Sequence, residues 1–298
     1  MQTVLSIKGI SKAYGPVQAL KDVSFDIPKG CVFGILGPNG SGKTTMLGIV
    51  LDVLKAQSGS FTWFDQRSSS ETRRKIGSLL ETPNFYHYLS ALDNLGITQA
   101  ISGRGNKNDI EEVLKTISLS ERKKSKFSTY SLGMKQRLAI GAALLGNPDV
   151  LVFDEPTNGL DPVGIAEIRE LIKDLAKQGK TIIMASHLLD EVEKVCTHVA
   201  ILKRGTLITS GAVDEVLSNE DIVEISSKDN NQLANLFNGY TGVKNIKSAE
   251  GNVQLLFNLG TANLEAVNQH CFNNGITLNH LVLKKKSLEA KFFELTKN

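Results

Sequence analysis

The sequence predicts an α/β domain with a mostly parallel central sheet, followed by a smaller α+β domain. Short apolar runs bounded by turn residues, such as "CVFGIL", "DVLVF" and "TIIMAS", are typical of strands that are covered on both faces. Segments with helical periodicity alternate with these runs, which indicates parallel strands joined by helices. Beyond Gly211 the pattern changes, and this change indicates the second domain.

Composition limits what the chain can be. Its 298 residues are enough for two domains with packed cores. A net charge of +3 gives no reason to expect nucleic acid as a partner. The three cysteines fit no metal or redox spacing, which favours a reducing, cytosolic environment. No apolar run approaches the roughly 18 residues needed to span a bilayer, so we expect any membrane role to depend on a partner.

Two elements of the first domain have clear sequence patterns. "VSFDI" alternates apolar and polar residues, as a half-buried strand does. A later helix is predicted to begin with Asp161 as its N-cap and Pro162 in its first turn, and to end near Gly179. The spacing of the isoleucines and leucine within this helix gives it one apolar face, which we expect to pack on the sheet.

The stretch from about residue 83 to 146 has no recognisable strand, and we predict a helical subdomain inserted between strands of the sheet. Asn108 followed by Glu111 resembles a capping box at one helix start. Another helix is predicted to begin after Ser131, with Gly133 in its first turn, and to end near Gly146. Free N–H groups and the helix dipole at such a start can hold an anion.

Residues 219–298 are predicted to form the second domain, and residues 1–218 the first. The predicted order is β-α-β-β-α-β-α, with residues 243–248 as the second strand, which matches a small ferredoxin-like α+β module. The strands correspond to "DIVEISS", "VKNIKS", "NVQLLFNL" and "LNHLVLK", and the helices to "NNQLANLFNG", "TANLEAVNQHCFNNG" and "SLEAKFFELTKN".

The most specific motif is "GPNGSGKTT". It fits G-x-x-x-x-G-K-[ST], follows an apolar strand and precedes an apolar helix, which is the context that a phosphate-binding loop requires. Its glycines let backbone N–H groups curl around a phosphate, Lys43 can reach the β- and γ-phosphates, and Thr44 can hold Mg²⁺. The candidate loop residues are Gly37, Pro38, Asn39, Gly40, Ser41, Gly42, Lys43, Thr44 and Thr45.

Two acidic residues, Asp154 and Glu155, end the buried strand of "DVLVFDEP". Ligands bind at the carboxyl ends of strands in open α/β sheets. Asp154 is therefore a candidate for the Mg²⁺ site, and Glu155 for the base that accepts the proton of an attacking water. Alone, the pair could equally be an ordinary solvated loop, but the phosphate loop makes that alternative much weaker.

Together these motifs resemble the ATP-binding subunits of ABC transporters over residues 4–217, in the family's order. The resemblance implies a P-loop NTPase fold, ATP hydrolysis, and ATP and Mg²⁺ as cofactors. It implies that Tyr14 stacks on adenine, that Ser131 and Gly133 belong to the family signature, that Asp161 lies in the D-loop and that His187 contacts the γ-phosphate. By themselves, Tyr14 would be an ordinary aromatic and His187 a satisfied core histidine.

The sequence departs from the family at two places. The signature usually reads Leu-Ser-Gly-Gly-Gln, and here the serine and second glycine remain while Leu132 and Met134 replace the first glycine and the glutamine. Glu81 stands where the family has a glutamine. An ionised glutamate accepts hydrogen bonds but donates none, so Glu81 could orient water or approach Mg²⁺, or be an ordinary loop residue.

The segments "SLLETPNFYHYLSALDNL" and "YSLGMKQRL" resemble those of bacitracin and lantibiotic exporter ATPases, in which the permease is a separate chain. The resemblance implies a homodimer with two shared ATP sites, in which the Ser131 helix start of one chain faces the γ-phosphate held by the other. It also implies a transmembrane permease partner, a cytoplasmic location at the membrane and no nucleic-acid partner. Residues 82–95 would border the permease groove, with Phe85 and Tyr86 as anchors or as subdomain core.

Two other functions remain open at this point. A soluble ATPase of the same superfamily, with a non-transport role in translation or DNA maintenance, is expected to carry tandem domains or long coiled coils, which the sequence lacks. A regulatory module whose C-terminal domain senses a ligand would make ATP secondary. The intact set of Lys43, Asp154 and Glu155 favours turnover.

Overall fold

The computed structural model of the chain describes residues 2–80, 84–217, 220–249, 251–258, 260–284 and 292. It divides into two compact units, residues 1–212 and 213–298. The domain boundary that the sequence places at residue 218 stays a prediction.

The first unit alternates strands and helices after an opening strand pair. Its described strands are β1 (Thr3–Tyr14), β2 (Val17–Pro28), β3 (Val32–Leu36), β4 (Ser58–Trp63), β5 (Ile76–Leu79), β6 (Val150–Asp154), β7 (Thr181–Ser186), β8 (His198–Lys203) and β9 (Thr206–Ala212). Its described helices are α1 (Lys43–Val50), α2 (Ser70–Arg74), α3 (Ala91–Ser102), α4 (Lys107–Thr116), α5 (Leu132–Leu144), α6 (Pro162–Lys177) and α7 (Leu189–Val195).

Two sheets enclose the core of this unit. Strands β2, β1 and β4 form an antiparallel sheet in that order. Strands β5, β6, β7, β3, β8 and β9 form the second sheet in that order, parallel throughout except for β9. The mostly parallel core sheet is therefore confirmed. Every residue of β3, β6 and β7 is buried, because both faces of these central strands are covered.

Helices α3, α4 and α5 follow one another between β5 and β6, where the sequence predicts a helical subdomain. The predicted cap of α4 is wrong by two residues. Asn106, not Asn108, is the N-cap, and Asp109 completes the capping box by accepting from the Asn106 backbone N–H at 2.9 Å. Gly105, with φ of 73°, turns the chain just before this point, so the helix begins earlier.

The second unit is an α+β module with a single antiparallel sheet. Its described elements are α8 (Val213–Leu217), β10 (Glu220–Ser226), α9 (Asn230–Leu236), β11 (Val243–Ala249), β12 (Asn252–Asn258), α10 (Leu264–Asn273) and β13 (His280–Lys284). The sheet order is β11-β12-β10-β13, and α9 and α10 contribute Leu233, Val267 and Cys271 to its core. The predicted β-α-β-β-α-β order is confirmed, whereas the predicted last helix lies almost wholly outside the described residues.

A buried charge is neutralised within this module. Glu224 of β10 is only 3% exposed, and its carboxylate accepts hydrogen bonds from Lys284, Gln254 and Asn252 and contacts His280. The hydrogen bond from the Lys284 ammonium is the main reason that the pKa of this carboxyl falls to about 2.

A chain that ends at Ser218 is expected to stay folded and to bind ATP, because the phosphate loop and the strands around it all lie in the first unit. Its affinity for ATP is expected to stay within about threefold of the full chain, about 0.7 kcal/mol. Calorimetric titration of both chains with ATP measures this. Loss of ATP binding on truncation would show that the second unit is part of the nucleotide-binding domain.

Candidate functional site

The predicted site residues gather at one edge of the parallel sheet. The phosphate loop connects β3 to α1, Asp154 is the last residue of β6, and His187 follows β7. Strands β6, β7 and β3 are neighbours and run parallel, so their carboxyl ends lie side by side. This topology brings together residues that are far apart in the sequence, at the edge where α/β sheets bind ligands.

The phosphate loop has a backbone that only glycines allow. A Cβ atom at Gly37 would lie 2.4 Å from the carbonyl oxygen of Leu202, and one at Gly42, where φ is 104°, would lie 2.4 Å from that of Ala19. Gly40 has φ of 78° and open space beside it. Such a loop can present its backbone N–H groups to an anion without obstruction from side chains.

A cavity of about 410 Å³ lies against this loop. Its lining includes Tyr14, a residue that is 47% exposed, together with Val17 and Ala19. The rest of its lining consists of Asn39, Gly40, Gly42, Lys43, Thr44, Thr45 and Glu155. An exposed aromatic ring and a glycine-rich loop in the lining of one cavity suit a base and a phosphate chain, respectively.

The carboxylate of Glu155 contacts the side chains of both Lys43 and His187. Its Oε1 atom lies 3.5 Å from Lys43 Nζ, and its Oε2 atom lies 2.9 Å from His187 Nδ1. Lys43 is 6% exposed and also donates to the carbonyl oxygens of Gly37, at 2.7 Å, and Pro38, at 3.3 Å. One carboxylate thus contacts both a lysine and an imidazole beside the loop.

The backbone at Glu155 is strained, a feature that the sequence does not reveal. Its φ is 47°, in the left-handed region that residues other than glycine rarely adopt. The conformation is held by two hydrogen bonds, from Glu155 N to the Ala185 carbonyl oxygen at 3.0 Å and from Asn158 N to the Glu155 carbonyl oxygen at 3.1 Å. Strain that is held in this way is common where a side chain must point in one functional direction.

Eight of the described site residues are not among those that line the loop cavity: Gly37, Pro38, Ser41, Ser131, Gly133, Asp154, Asp161 and His187. Ser131 is the N-cap of α5, and its Oγ atom accepts from Met134 N at 3.3 Å. Asp161 caps α6 by accepting from Gly164 N at 2.8 Å, as the sequence predicts. Glu81 lies outside the described residues.

A second cavity, of about 340 Å³, borders the loop that precedes α3. We call it the aromatic groove; it is lined by Asn84, Phe85, Tyr86, Asn94, Ile97, Thr98 and Ile101. The two predicted anchors differ, because Tyr86 is 51% exposed whereas Phe85 packs edge-on against the buried Phe127 with ring centroids 5.2 Å apart. Phe85 therefore belongs partly to the subdomain core.

Asn94 fixes the backbone of this groove, a role that the sequence analysis missed. Its side chain is 1% exposed; Oδ1 accepts from Tyr86 N at 2.8 Å, and Nδ2 donates to the carbonyl oxygens of Tyr86, at 3.1 Å, and Ser90, at 2.9 Å. The sequence gives little indication of this role, because asparagine is also common on helix surfaces, where its amide is not buried and bonded in this way.

Comparisons with known proteins identify the family of this chain. The family described as ABC transporter matches residues 20–158. The bacitracin transport ATP-binding protein BcrA of Bacillus licheniformis is 35% identical over 99% of this chain and 98% of its own length. The lantibiotic transport ATP-binding protein SrtF of Streptococcus pyogenes is 37% identical over 74% of this chain and 99% of its own.

Solved structures give the same result. An ATP-binding cassette of an ABC transporter in its ADP conformation has a TM-score of 0.66 and 27% identity, and covers 72% of this chain and 93% of its own. A dimeric cassette in a post-hydrolysis state, bound to ADP and Pi, has a TM-score of 0.62 and 29% identity, and covers 70% of this chain and 98% of its own.

The fold and the site thus define a nucleotide-binding ATPase of the P-loop class. The chain belongs to the ABC transporter ATP-binding family, whose members bind ATP and hydrolyse it. Within the described ranges, no helix is both long enough and apolar enough to cross a bilayer.

Proposed function

We propose that this chain powers an ABC exporter, as a homodimer on the cytoplasmic face of the membrane attached to a separate permease. The observation that carries the ATP-hydrolysing part of the proposal is the contact of Glu155 with both Lys43 and His187 beside the phosphate loop. The names of the relatives refer to bacitracin and lantibiotic transport, which supports antibiotic peptides as the class of cargo.

In the proposed reaction, each side chain of the site has a defined role. The loop N–H groups and the Lys43 ammonium bind the β- and γ-phosphates of ATP, and Tyr14 stacks on the adenine. Glu155 accepts the proton of the water that attacks the γ-phosphate. His187, which lies 2.9 Å from Glu155, orients this carboxylate and hydrogen-bonds the γ-phosphate. The buried position of Lys43 strengthens its attraction for phosphate, because little water screens its charge.

The residues present fit a Mg²⁺ ion. Thr44 lies in the first turn of α1, and Asp154, 5% exposed, ends β6 at the same edge of the sheet. A hydroxyl and a carboxylate are hard oxygen donors, and Mg²⁺ typically takes few protein ligands beside phosphate oxygens and water. We propose that these two residues hold the ion, which neutralises charge that develops on the phosphates during hydrolysis.

The helix starts at Ser131 and Asp161 support a dimer in which each ATP contacts both chains. Leu132 beside the first start is 48% exposed, and Val163 beside the second is 67% exposed. Exposed apolar side chains at helix N-termini suit a surface that is covered when a second chain carrying ATP approaches. The similarity to a dimeric cassette supports the same arrangement.

Tyr86→Ala is expected to abolish co-purification of the permease while ATP binding persists. Tyr86 is the exposed anchor of the aromatic groove, and aromatic side chains at such sites often carry 2 kcal/mol or more of binding energy, about a thirtyfold loss on truncation. The measurement is the yield of an endogenous multi-span membrane protein recovered with the tagged chain from solubilised membranes.

The matched control is Phe272→Ala, which removes an exposed aromatic of α10, outside this groove, and is expected to leave recovery unchanged. Phe85→Ala is expected to lower Tm instead, because this ring packs on Phe127. Recovery of the permease with the Tyr86 variant at the wild-type level would show that it docks elsewhere. Failure to recover any membrane partner with the wild-type chain would favour a soluble, non-transport ATPase.

A further inference from the structure

The short helix that follows His187 depends on contacts outside itself. Helix α7 has seven residues, and its N-cap, Leu188, forms no side-chain cap. A helix of two turns is not stable by its own hydrogen bonds, so tertiary contacts decide where it lies. Since His187 is separated from α7 only by Leu188, those contacts act on the position of the imidazole together with the hydrogen bonds between His187 and Glu155.

One of these contacts is apolar and comes from the sheet. Val192 of α7 is fully buried, and it lies so close to β3 that a Cβ atom at Gly34 would be 2.7 Å from its Cγ1 atom. This contact sets the distance between α7 and the sheet. Cys196, the C-cap of α7, packs at the same place, with its Sγ atom 3.0 Å from that Cβ position. Apolar contact of this kind does not fix the rotation of a helix about its own axis, because apolar packing is not directional.

A contact of a second kind is an ion pair with defined directions. Arg169 of α6 donates to Glu191 of α7 from Nε to Oε2 at 3.0 Å and from Nη2 to Oε1 at 2.8 Å and to Oε2 at 2.9 Å. Glu191 is only 9% exposed. The planar guanidinium fork accepts one orientation of the carboxylate, so this pair fixes the rotation that the apolar contact leaves open.

Helix α6 is a firm support for this pair. It has 16 residues, is capped by Asp161, and buries Ile168 and Ile172, the first of which precedes Arg169 directly. The second cation near Glu191, Lys194, lies on α7 itself at 3.8 Å and cannot connect the helix to its surroundings. Of these two cations, only Arg169 fixes α7 to another element.

We propose that Arg169 and Glu191 are positioning residues for ATP hydrolysis: their ion pair holds α7 so that His187 stays in contact with Glu155. The inference rests on the proposed roles of His187 and Glu155. Neither Arg169 nor Glu191 needs to touch ATP, so loss of the pair is expected to slow hydrolysis without weakening ATP binding.

Arg169→Lys and Glu191→Gln each test this proposal. Lysine keeps the charge but loses the fork, and glutamine keeps the shape but loses the charge. For both we expect kcat to fall about tenfold, with KM for ATP and the directly measured ATP affinity changed less than about twofold. The control is Lys173→Gln, which removes the exposed pair of Lys173 with Glu170 on the same helix and is expected to leave kcat unchanged.

A double-mutant cycle separates positioning of His187 from a general structural role. If Arg169 acts through His187, Arg169→Lys does not further lower the rate constant of ATP hydrolysis in a His187→Ala chain. Single-turnover reactions measure this rate constant. The exchanged pair Arg169→Glu with Glu191→Arg is expected to recover part of the activity lost in Arg169→Glu alone.

The proposal is overturned if both single variants hydrolyse ATP at the wild-type rate, or if Arg169→Lys reduces kcat by the same factor with and without His187. Loss of ATP binding together with a large fall in Tm would likewise show a general structural role. If His187→Ala itself leaves kcat unchanged while Arg169→Lys lowers it, the proposed role of His187 fails, and Arg169 acts by another route.

Discussion

Glu155→Gln is expected to bind ATP with wild-type affinity and to lower steady-state hydrolysis by at least about a hundredfold. The glutamine amide fills the same space next to His187 and Lys43, but it cannot accept the proton of the attacking water. The measurement pairs phosphate release at saturating ATP and Mg²⁺ with direct titration of ATP binding.

Two further variants are compared with Glu155→Gln, one that is expected to lose ATP binding and one control. Lys43→Ala is expected to weaken ATP binding itself, because this buried ammonium is the charged group of the phosphate loop. Glu170→Gln, at an exposed carboxylate of α6, is the matched control and is expected to hydrolyse ATP normally. Hydrolysis at the wild-type rate by Glu155→Gln with ATP saturating would remove Glu155 as the base.

Much of the fold was predictable from local patterns. The continuous apolar runs of β3, β6 and β7 predicted buried parallel strands, and each strand is buried throughout. The order of the strands was not predictable, because pairing joins segments more than a hundred residues apart, such as β3 and β7. The N-cap of α4 was misplaced because Asn106 and Asn108 are both good caps, and the turn at Gly105 decides between them.

The sequence predicts some residues of the site directly, whereas the contacts between them depend on the fold. A fixed spacing within one segment defines the phosphate loop, so the motif alone indicates it. The contact of Lys43 with Glu155 depends on the strand order, and the positive φ of Glu155 depends on the chain around it. The pair of Arg169 and Glu191 joins residues of separate helices, and charged residues on helices are usually solvated, so no sequence pattern singled it out.

A mixture of two inactive variants is expected to rebuild one ATP site. Lys43→Ala removes the phosphate lysine, and Ser131→Arg puts bulk at the N-cap of α5, where we propose a close contact with phosphate. In a mixed dimer, one site combines both defects. The other joins the intact loop of the Ser131→Arg chain to the intact α5 start of the Lys43→Ala chain.

Both chains should also carry Glu155→Gln, so that a dimer closed on ATP does not open through hydrolysis. Ser70→Arg serves as the control: it puts the same bulk at an exposed serine in the first turn of α2 and is expected to form an ATP-dependent dimer without a partner variant. Binding of one shared ligand stabilises the closed dimer by its higher affinity for that state.

Trapping of mixed dimers by ATP is therefore the most direct test that each ATP is shared between two chains. The two variants carry different tags, are mixed so that subunits exchange, and are separated by size with and without ATP. We predict that neither variant alone shifts to the dimer with ATP and that the mixture yields an ATP-dependent dimer containing both tags. Mixed dimers that form but retain no ATP would contradict the shared site.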